Sequence, residues 1–230
     1  MKVICTICAR GGSKGIKNKN YKRFLNKPLI YYVIRSAIKT KLFEHIVVST
    51  DSKKISNLAI KYGAKSWFLR PKYLSKDNSP KLPVIQHALK ESEKYFNQRF
   101  DVQIDLQATS PLLTAEDIKK AYKKFINSKC DNLITVTHSK KNPYFDMVEV
   151  KKGRTKLVKS LKQKIIRRQD APKVYDLNGA IYIWKRKSIL NTSKLINSKT
   201  AIYLMPESRS IDIDNKFDWK IAQFLKNNKI

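Results

Sequence analysis

Short apolar runs alternate with segments of helical periodicity along the first 140 residues of the chain. The apolar runs predict buried strands at residues 2–8, 45–50, 65–69, 101–108 and 132–137. Helices are predicted over 28–43, from Asp51 to about Tyr62, over 79–96 and from Thr114 onward. Strands that alternate with helices of this length indicate βαβ units around a parallel sheet. The pattern therefore predicts an α/β fold, in which ligands bind at the carboxyl ends of the strands.

The predicted helices carry recognisable signals at their ends. Pro28 and Pro80 stand near the starts of two helices, where the missing N–H of proline costs no helical hydrogen bond. Asp51 and Thr114 are predicted N-caps, because their side chains can accept a hydrogen bond from the first turn. Gly63 is predicted to end the second helix.

The alternation of apolar runs and helical segments ends after about residue 140. The segments YFDMVEV and TKLVKSL flank KKGR and predict a hairpin. Further strands are predicted over 178–184 and 201–205, and a last helix over roughly 215–227. At 230 residues the chain is predicted to form a single domain, residues 1–230, with 140–166 as an inserted arm.

The segment ICARGGSKGIKNKN, residues 7–20, follows the first predicted strand and is rich in glycine and basic residues. It fits neither the Walker pattern nor the dinucleotide pattern of glycines. Gly11 and Gly12 permit positive φ, so that successive N–H groups can form an anion-binding nest. Arg10, Lys14 and Lys19 add cations suited to a triphosphate. The alternative is a glycine-rich turn with solvated lysines.

The net charge is +31, from 49 basic and 18 acidic residues. Such a charge is typical either of a protein with a polyanionic partner or of a lysine-rich bias spread over a solvated surface. Residues 151–168 hold nine basic residues and no acidic one, but no aromatic residues interleave them as a single-strand stacking platform requires. We therefore expect no specific nucleic-acid partner.

The cysteines and the hydropathy of the chain indicate the role of its thiols and its cellular location. Cys5 and Cys8 have the spacing of a redox pair, but positions three apart on a strand face opposite sides of the sheet. We therefore expect buried structural thiols. No apolar run approaches the roughly 18 residues of a membrane span, and the N-terminus lacks the pattern of a secretory signal. A cytoplasmic protein without a membrane span is expected.

The stretch ARGGSKGIKNKN, residues 9–20, resembles the signature of the CMP-sialic acid synthetases, also called acylneuraminate cytidylyltransferases. Three later segments are similar to further motifs of that family, in the same order: LQATSPL (106–112), RRQDAPKVYDLNGAIYI (167–183) and SIDID (210–214). Ala108 stands where the family has proline, and Leu113 where it has arginine. Related CMP-Kdo synthetases lack the GGSKG run and are disfavoured.

The resemblance implies a Rossmann-like, mostly parallel sheet flanked by helices, of the nucleotide-diphospho-sugar transferase type. It implies transfer of CMP from CTP to the anomeric C2 hydroxyl of a nine-carbon 2-keto sugar acid, with release of pyrophosphate. The family activates sialic, legionaminic and pseudaminic acids, and the opening segment and NPYF suggest the legionaminic branch. Members are typically homodimers, and we expect the 140–166 arm to contact the partner.

The resemblance also assigns residues to the substrates. It places CTP against Ala9, Arg10, Gly11, Gly12, Ser13, Lys14, Lys19, Asn20, Arg70 and Ser79. It places the acidic sugar against Gln107, Lys141, Arg168, Asn178 and Tyr182. Arg167 competes with Arg168 for the sugar carboxylate, and Tyr182 can equally be a core aromatic residue. The implied catalytic residues are Arg10, Lys14, Lys19, Asp212 and Asp214.

Asp212 and Asp214 are the predicted metal ligands. In an extended segment, residues two apart share a face, so the two carboxylates can approach one Mg²⁺, or alternatively Mn²⁺. The other interpretation is that Asp214 or Asn215 caps the last helix. Two further functions stay open at this point: another sugar nucleotidyltransferase, or a basic nucleic-acid-binding protein.

Overall fold

The computed structural model describes residues 1–162 and 165–228. Its strands are β1 Val3–Cys8, β2 Arg23–Phe24, β3 Lys27–Pro28, β4 His45–Ser49, β5 Val102–Gln107, β6 Asn132–His138, β7 Val148–Lys151, β8 Arg154–Leu157, β9 Tyr175–Lys185 and β10 Thr200–Leu204. Its α-helices are α1 Leu29–Thr40, α2 Lys53–Lys61, α3 Lys81–Phe96, α4 Ala115–Ile126, α5 Arg186–Asn191 and α6 Lys216–Asn227.

The central sheet has the strand order β10-β6-β9-β5-β1-β4. The pairs β1–β4, β1–β5 and β6–β10 are parallel, whereas β9 runs antiparallel to both β5 and β6. The predicted mostly parallel sheet is therefore confirmed. Because β5 and β6 both oppose β9, the carboxyl ends of β1, β4, β5 and β6 lie at one edge of the sheet.

Both faces of the sheet are buried, which explains the nearly continuous apolar runs of its strands. Cys5 and Ile7 of β1 pack into one core cluster, while Ile4 and Cys8 belong to the cluster on the other face. The two thiols therefore diverge as predicted. Both are free, so the strand carries no disulfide.

Most of the predicted helix ends are confirmed. Pro28 and Pro80 directly precede α1 and α3. Thr114 caps α4 and forms a reciprocal capping box with Asp117. Gly63 follows α2 with φ of +93°, a conformation that glycine adopts at low cost.

Two sequence predictions were wrong. The N-cap of α2 is Ser52 and not Asp51, because the Asp51 carboxylate accepts a hydrogen bond from the Gly11 amide instead. Residues 65–69 form only two isolated bridges to the β4 edge, at Lys65 and Leu69, and not a strand. Between them the Ser66 hydroxyl donates to the Val48 carbonyl (3.0 Å), which interrupts a regular ladder.

The predicted hairpin is confirmed as β7 and β8, paired around Lys152 and Gly153 with φ of +51° and +74°. Two successive positive φ values are typical of a tight hairpin turn that matches strand twist. All eight residues of these strands are exposed.

Residues 163–164 of the predicted arm, and 229–230 of the predicted domain, lie outside the described residues.

Within the part of the chain that the structure describes, no helix has the length and hydropathy that crossing a membrane requires.

Candidate active site

A cleft of about 400 Å³ opens at the carboxyl ends of β1 and β5. This is where open α/β sheets bind their ligands. The cleft is lined by Cys8, Arg10, Ser13, Lys14, Gly15, Lys19, Asn20, Arg70, Leu74, Lys76, Asp77, Ser79, Lys81, Val84, Gln107, Ala108, Thr109 and Asp214. Nine residues that the sequence assigned to substrates or metal are among them: Arg10, Ser13, Lys14, Lys19, Asn20, Arg70, Ser79, Gln107 and Asp214.

The loop after β1, residues 9–20, is fixed to the β4 edge of the sheet. The Ala9 amide donates to the Ser49 carbonyl (3.0 Å), and the Gly11 amide donates to Asp51 Oδ1 (2.8 Å). Gly11 and Gly12 do not have the positive φ that the sequence analysis expected of a nest. Gly11 instead lies where a side chain would be crowded, since a Cβ there would lie 3.0 Å from Cβ of Ser52.

Two residues join this loop to the segment that carries Asp212 and Asp214. A Cβ on Gly15 would lie 2.0 Å from the Asp214 carbonyl oxygen, so only glycine permits this approach of the two backbones. Lys19 reaches the same segment, with Nζ 3.1 Å from Asp214 Oδ1 and a hydrogen bond to the Ile213 carbonyl. The basic loop and the acidic segment, two hundred residues apart, thus form one wall of the cleft.

The loop cations Arg10 and Lys14 converge on Asp77 across the cleft. Lys14 Nζ lies 2.9 Å from one carboxylate oxygen of Asp77, and Arg10 donates to the other. Hydrogen bonds from Lys14 and then Arg10 hold the pKa of Asp77 below its usual value. A carboxylate therefore occupies the position between two cations that an anionic ligand would take.

A third cation in the cleft is Arg70. It is only 5% exposed, and its Nε donates to the Ser75 hydroxyl (3.1 Å). Among residues 1–162 and 165–228, no acidic side chain forms an ion pair with it. Burying an uncompensated charge is costly, so this guanidinium favours an anionic ligand.

Asn20 and Ser79 offer the cleft different hydrogen-bonding groups. Asn20 is 5% exposed, and its Nδ2 donates to the Arg10 carbonyl (2.9 Å). Its buried Oδ1 has no partner among the described residues, so it is a free acceptor. The Ser79 hydroxyl is already engaged, donating to the Tyr73 carbonyl (2.9 Å) and accepting from the Lys76 amide (3.0 Å).

Asp212 and Asp214 flank Ile213, which is fully buried in a core cluster. Asp212 accepts a hydrogen bond from Thr109, while Asp214 is exposed beside Lys19. Burial and the Asp214 charge raise the pKa of Asp212 despite the hydrogen bond from Thr109. Two neighbouring carboxylates, one of them partly desolvated, make a donor set that suits a divalent cation. Asn215, next in the chain, caps α6.

The residues assigned to the sugar lie in three different settings. Gln107 lines the cleft at the end of β5. Tyr182 is buried behind it, with its ring centroid 4.4 Å from Nζ of Lys81. Asn178 is buried in the sheet, where it accepts from Thr135 and donates to the Ser210 hydroxyl (2.9 Å). Both ends of the Asn178 amide are therefore already bonded within the protein.

Lys141, Arg167 and Arg168 are exposed and do not line the cleft. Arg167 pairs with Asp170 (2.9 Å), and Lys141 lies 3.7 Å from an Asp146 oxygen. Arg168 donates only to backbone carbonyls, those of residues 139 and 140. These carbonyls directly follow β6, so Arg168 lies at the same sheet edge as the cleft. Of the two adjacent arginines, Arg168 is the one without a carboxylate partner among the described residues.

Five residues that shape this cleft were not predicted from the sequence: Asp51, Asp77, Lys81, Asp105 and Thr109. One had a readable signal, because Asp105 is a charged residue within an apolar run, where unpaired charges are rarely found. Thr109 had a second kind of signal, because it lies in the LQATSPL segment that resembles a family motif. Asp51, Asp77 and Lys81 have no local signal of these roles, since the roles depend on contacts with distant parts of the chain.

Comparison with known proteins identifies the family. The profile of a family described as "Cytidylyltransferase" matches residues 4–228. The chain belongs to this cytidylyltransferase family. It is 46% identical to the CMP-N,N'-diacetyllegionaminic acid synthase of Campylobacter jejuni, over 97% of this chain and 94% of that protein. It is 35% identical to the pseudaminic acid cytidylyltransferase of the same species, over 98% and 96% of the two chains. The predicted class of enzyme is thereby confirmed for this family member.

The fold is shared with solved nucleotidyltransferases. A CMP:2-keto-3-deoxy-manno-octonic acid synthetase complexed with CTP matches this cytidylyltransferase with a TM-score of 0.70 at 16% identity, covering 100% of both chains. At that identity the match supports the fold, and it confirms the predicted class of sheet.

Proposed function

We propose that this cytidylyltransferase moves CMP from CTP to the anomeric C2 hydroxyl of a nine-carbon 2-keto sugar acid and releases pyrophosphate. The proposal rests mainly on one observation: the cleft joins a basic loop after β1 to Asp214, and Asp212 lies two residues earlier in the same segment. Since charge develops on phosphate oxygens during phosphoryl transfer, a site that holds cations around the triphosphate stabilises the transition state.

In this function Arg10, Lys14 and Arg70 bind the triphosphate. The phosphates take the place of Asp77 between the first two cations, and Arg70 gains the anionic partner that its burial favours. Asn20 accepts a hydrogen bond from the nucleoside through its free Oδ1. These contacts position the α-phosphate, which is the main contribution that a protein makes to this chemistry.

Asp51→Ala is expected to raise the KM for CTP about tenfold, because the Gly11 amide loses its acceptor and the loop loses an anchor. The expected loss of stability is about 1 kcal/mol. Asp51→Asn is the matched control, since its Oδ1 still accepts from Gly11. Steady-state kinetics and thermal unfolding of both variants test the anchor. Equal KM values for Asp51→Ala and the wild type would contradict it.

We propose that Asp212 and Asp214 hold Mg²⁺, and that Mn²⁺ can replace it with the same oxygen ligands. Two carboxylates fit Mg²⁺, because this ion usually keeps several waters and is held by only one or two carboxylates together with substrate phosphates. When bound, the ion supplies charge neutralisation on the phosphates and acidifies the attacking hydroxyl. Lys19 holds the Asp214 carboxylate in place for this role.

The sugar acid is proposed to bind between Gln107, at the carboxyl end of β5, and Arg168, beside the carboxyl end of β6. Arg168 can turn from the backbone carbonyls to meet the sugar carboxylate, because a guanidinium gains more from a bidentate anion than from neutral oxygens. The 46% identity to a legionaminic acid enzyme favours a legionaminic-type acid over sialic and pseudaminic acids.

A pyrophosphate-release assay with CTP, Mg²⁺ and each sugar acid in turn tests the proposal. We expect release with CTP and the legionaminic-type acid, and little with other nucleotides. Release with a sugar phosphate instead would favour another sugar nucleotidyltransferase. Tight, steeply salt-dependent RNA binding without any release would favour a nucleic-acid-binding protein. The cytoplasmic location stays a prediction.

We propose that the protein is a homodimer whose arm, residues 140–166, contacts the partner. The exposed apolar side chains of the β7–β8 hairpin support this, since Val148 and Val150 are 61% and 69% exposed. Val150→Asp is expected to shift the protein to monomers, as measured by light scattering at micromolar concentration. Ile60→Asp, at an exposed position of α2, is the control that should leave the dimer intact. A monomeric wild type would refute the dimer.

A further inference from the structure

Lys81, the first residue of α3, lines the cleft but has no part in the reaction described above. Its ammonium group contacts three protein groups. It donates to Gln107 Oε1, it lies 3.2 Å from Asp105 Oδ2, and it sits over the Tyr182 ring. The hydrogen bond to Gln107 uses one of the three N–H donors of the ammonium, and the Asp105 carboxylate and the Tyr182 ring balance its charge.

Asp105 fixes the position of this ammonium. Its carboxylate is fully buried, and its other oxygen accepts from the Thr6 hydroxyl (2.9 Å) and the Cys8 thiol (3.3 Å). Burial is the largest single influence and would lower the pKa of Lys81, but the charge of and hydrogen bond to Asp105, together with Tyr182 and Cys8, raise that pKa. The lysine therefore stays charged, and the pair cannot move without leaving a buried charge uncompensated.

The contact with Lys81 determines which end of the Gln107 amide faces the cleft. Because Oε1 accepts from Lys81, the Nε2 donors are the groups left for a ligand. Triphosphates and sugar carboxylates present acceptors. If the Gln107 amide could rotate, its Oε1 would face these acceptors in part of the protein molecules. A fixed amide presents only the Nε2 donors.

We propose that Lys81 is a positioning residue that fixes the Gln107 amide with Nε2 directed at the anionic substrates. This inference rests on the proposed function of the cleft. Lys81 acts through Gln107 and does not touch the substrate itself. It differs from a purely structural ion pair in one respect: its effect on catalysis must disappear when Gln107 is absent.

A double-mutant cycle measures this coupling. We expect Lys81→Met and Gln107→Ala each to lower kcat/KM for the sugar acid about tenfold, and the double variant to lose no more than Gln107→Ala alone. Lys81→Arg, which keeps a cationic donor, should recover part of the activity. Losses that multiply to about a hundredfold in the double variant would overturn the proposal.

Two variants separate this effect from misfolding. Lys81→Met leaves Asp105 unpaired, so Lys81→Met/Asp105→Asn, which removes both charges, is the variant to use if the single one unfolds. Lys119→Met, at an exposed position of α4, controls for the loss of a lysine. It should retain wild-type kcat/KM.

A second measurement does not depend on turnover. In ¹H–¹⁵N spectra, the side-chain amide of Gln107, assigned by its absence in Gln107→Ala, should shift in Lys81→Met/Asp105→Asn and not in Lys119→Met. An unchanged resonance would overturn the positioning even in an active enzyme. A shift in a protein that releases no pyrophosphate would retain the positioning and refute the proposed reaction.

Discussion

Asp212→Asn is expected to lower turnover at least about a hundredfold while raising the melting temperature by about 2–4 °C. The loss of activity follows from the loss of one of the two carboxylates proposed to hold the metal. The gain in stability follows from the environment of Asp212, which is partly desolvated and lies beside the like charge of Asp214. Asparagine removes the charge and can still accept the hydrogen bond from Thr109.

The pH dependence of this gain gives a further check. Burial, together with the Asp214 charge, raises the pKa of Asp212 in the folded protein above its unfolded value. The unfolded chain therefore ionises first, so the wild type loses stability as the pH rises from about 4 through the folded pKa. The variant should be the more stable protein at neutral pH, and the difference should vanish below about pH 4.

Asp214→Asn is the informative comparison. Its side chain is 76% exposed and paired with Lys19, so removing its charge should bring no gain in stability while activity is still lost. Thermal unfolding at pH 4 and pH 7 and pyrophosphate release at saturating Mg²⁺ measure both effects. Near-normal turnover of Asp212→Asn would refute the metal site, and a lowered melting temperature would refute the account of its pKa.

Features of the fold that depend on local chemistry could be predicted from the sequence. The buried strands were readable because both faces of the sheet are covered, which produces long apolar runs. Thr114 and Gly63 act within a few residues of their own position, so their roles at helix ends were also readable. The segment 65–69 was misread because an apolar run at a sheet edge does not reveal that Ser66 interrupts the ladder.

The site was predictable only in part, for a related physical reason. The basic loop and the Asp212–Asp214 segment are recognisable as motifs, but their contact is not encoded in either one. Asp51 was taken for a helix cap, because a cap and a loop anchor use the same side-chain oxygen and only the tertiary fold decides between them. Asp77 and Lys81 lie in a segment without a recognised motif, and their partners are distant along the chain.

Gly15→Ala is expected to lower turnover about a hundredfold, because a displacement of about 1 Å within a catalytic site has an effect of that size. A Cβ at position 15 would lie 2.0 Å from the Asp214 carbonyl oxygen and 3.2 Å from its carbon, so one of the two backbones must move. Either movement separates the basic loop, residues 9–20, from the proposed metal ligands. The expected loss of stability is about 1–3 kcal/mol, as for other overpacked sites.

Gly12→Ala is the matched control for stability, since a Cβ there meets no atom within 4 Å and its φ is not in the left-handed range. Its melting temperature should equal or exceed that of the wild type, because alanine restricts the unfolded chain. Substitutions that loosen the loop and substitutions that disturb its contact with the Asp212–Asp214 segment should also have different kinetic effects. Asp51→Ala loosens only the loop and should affect CTP alone, whereas Gly15→Ala should raise the KM for CTP and the Mg²⁺ requirement together. A Gly15→Ala enzyme with wild-type values for both would show that this contact does not couple nucleotide and metal.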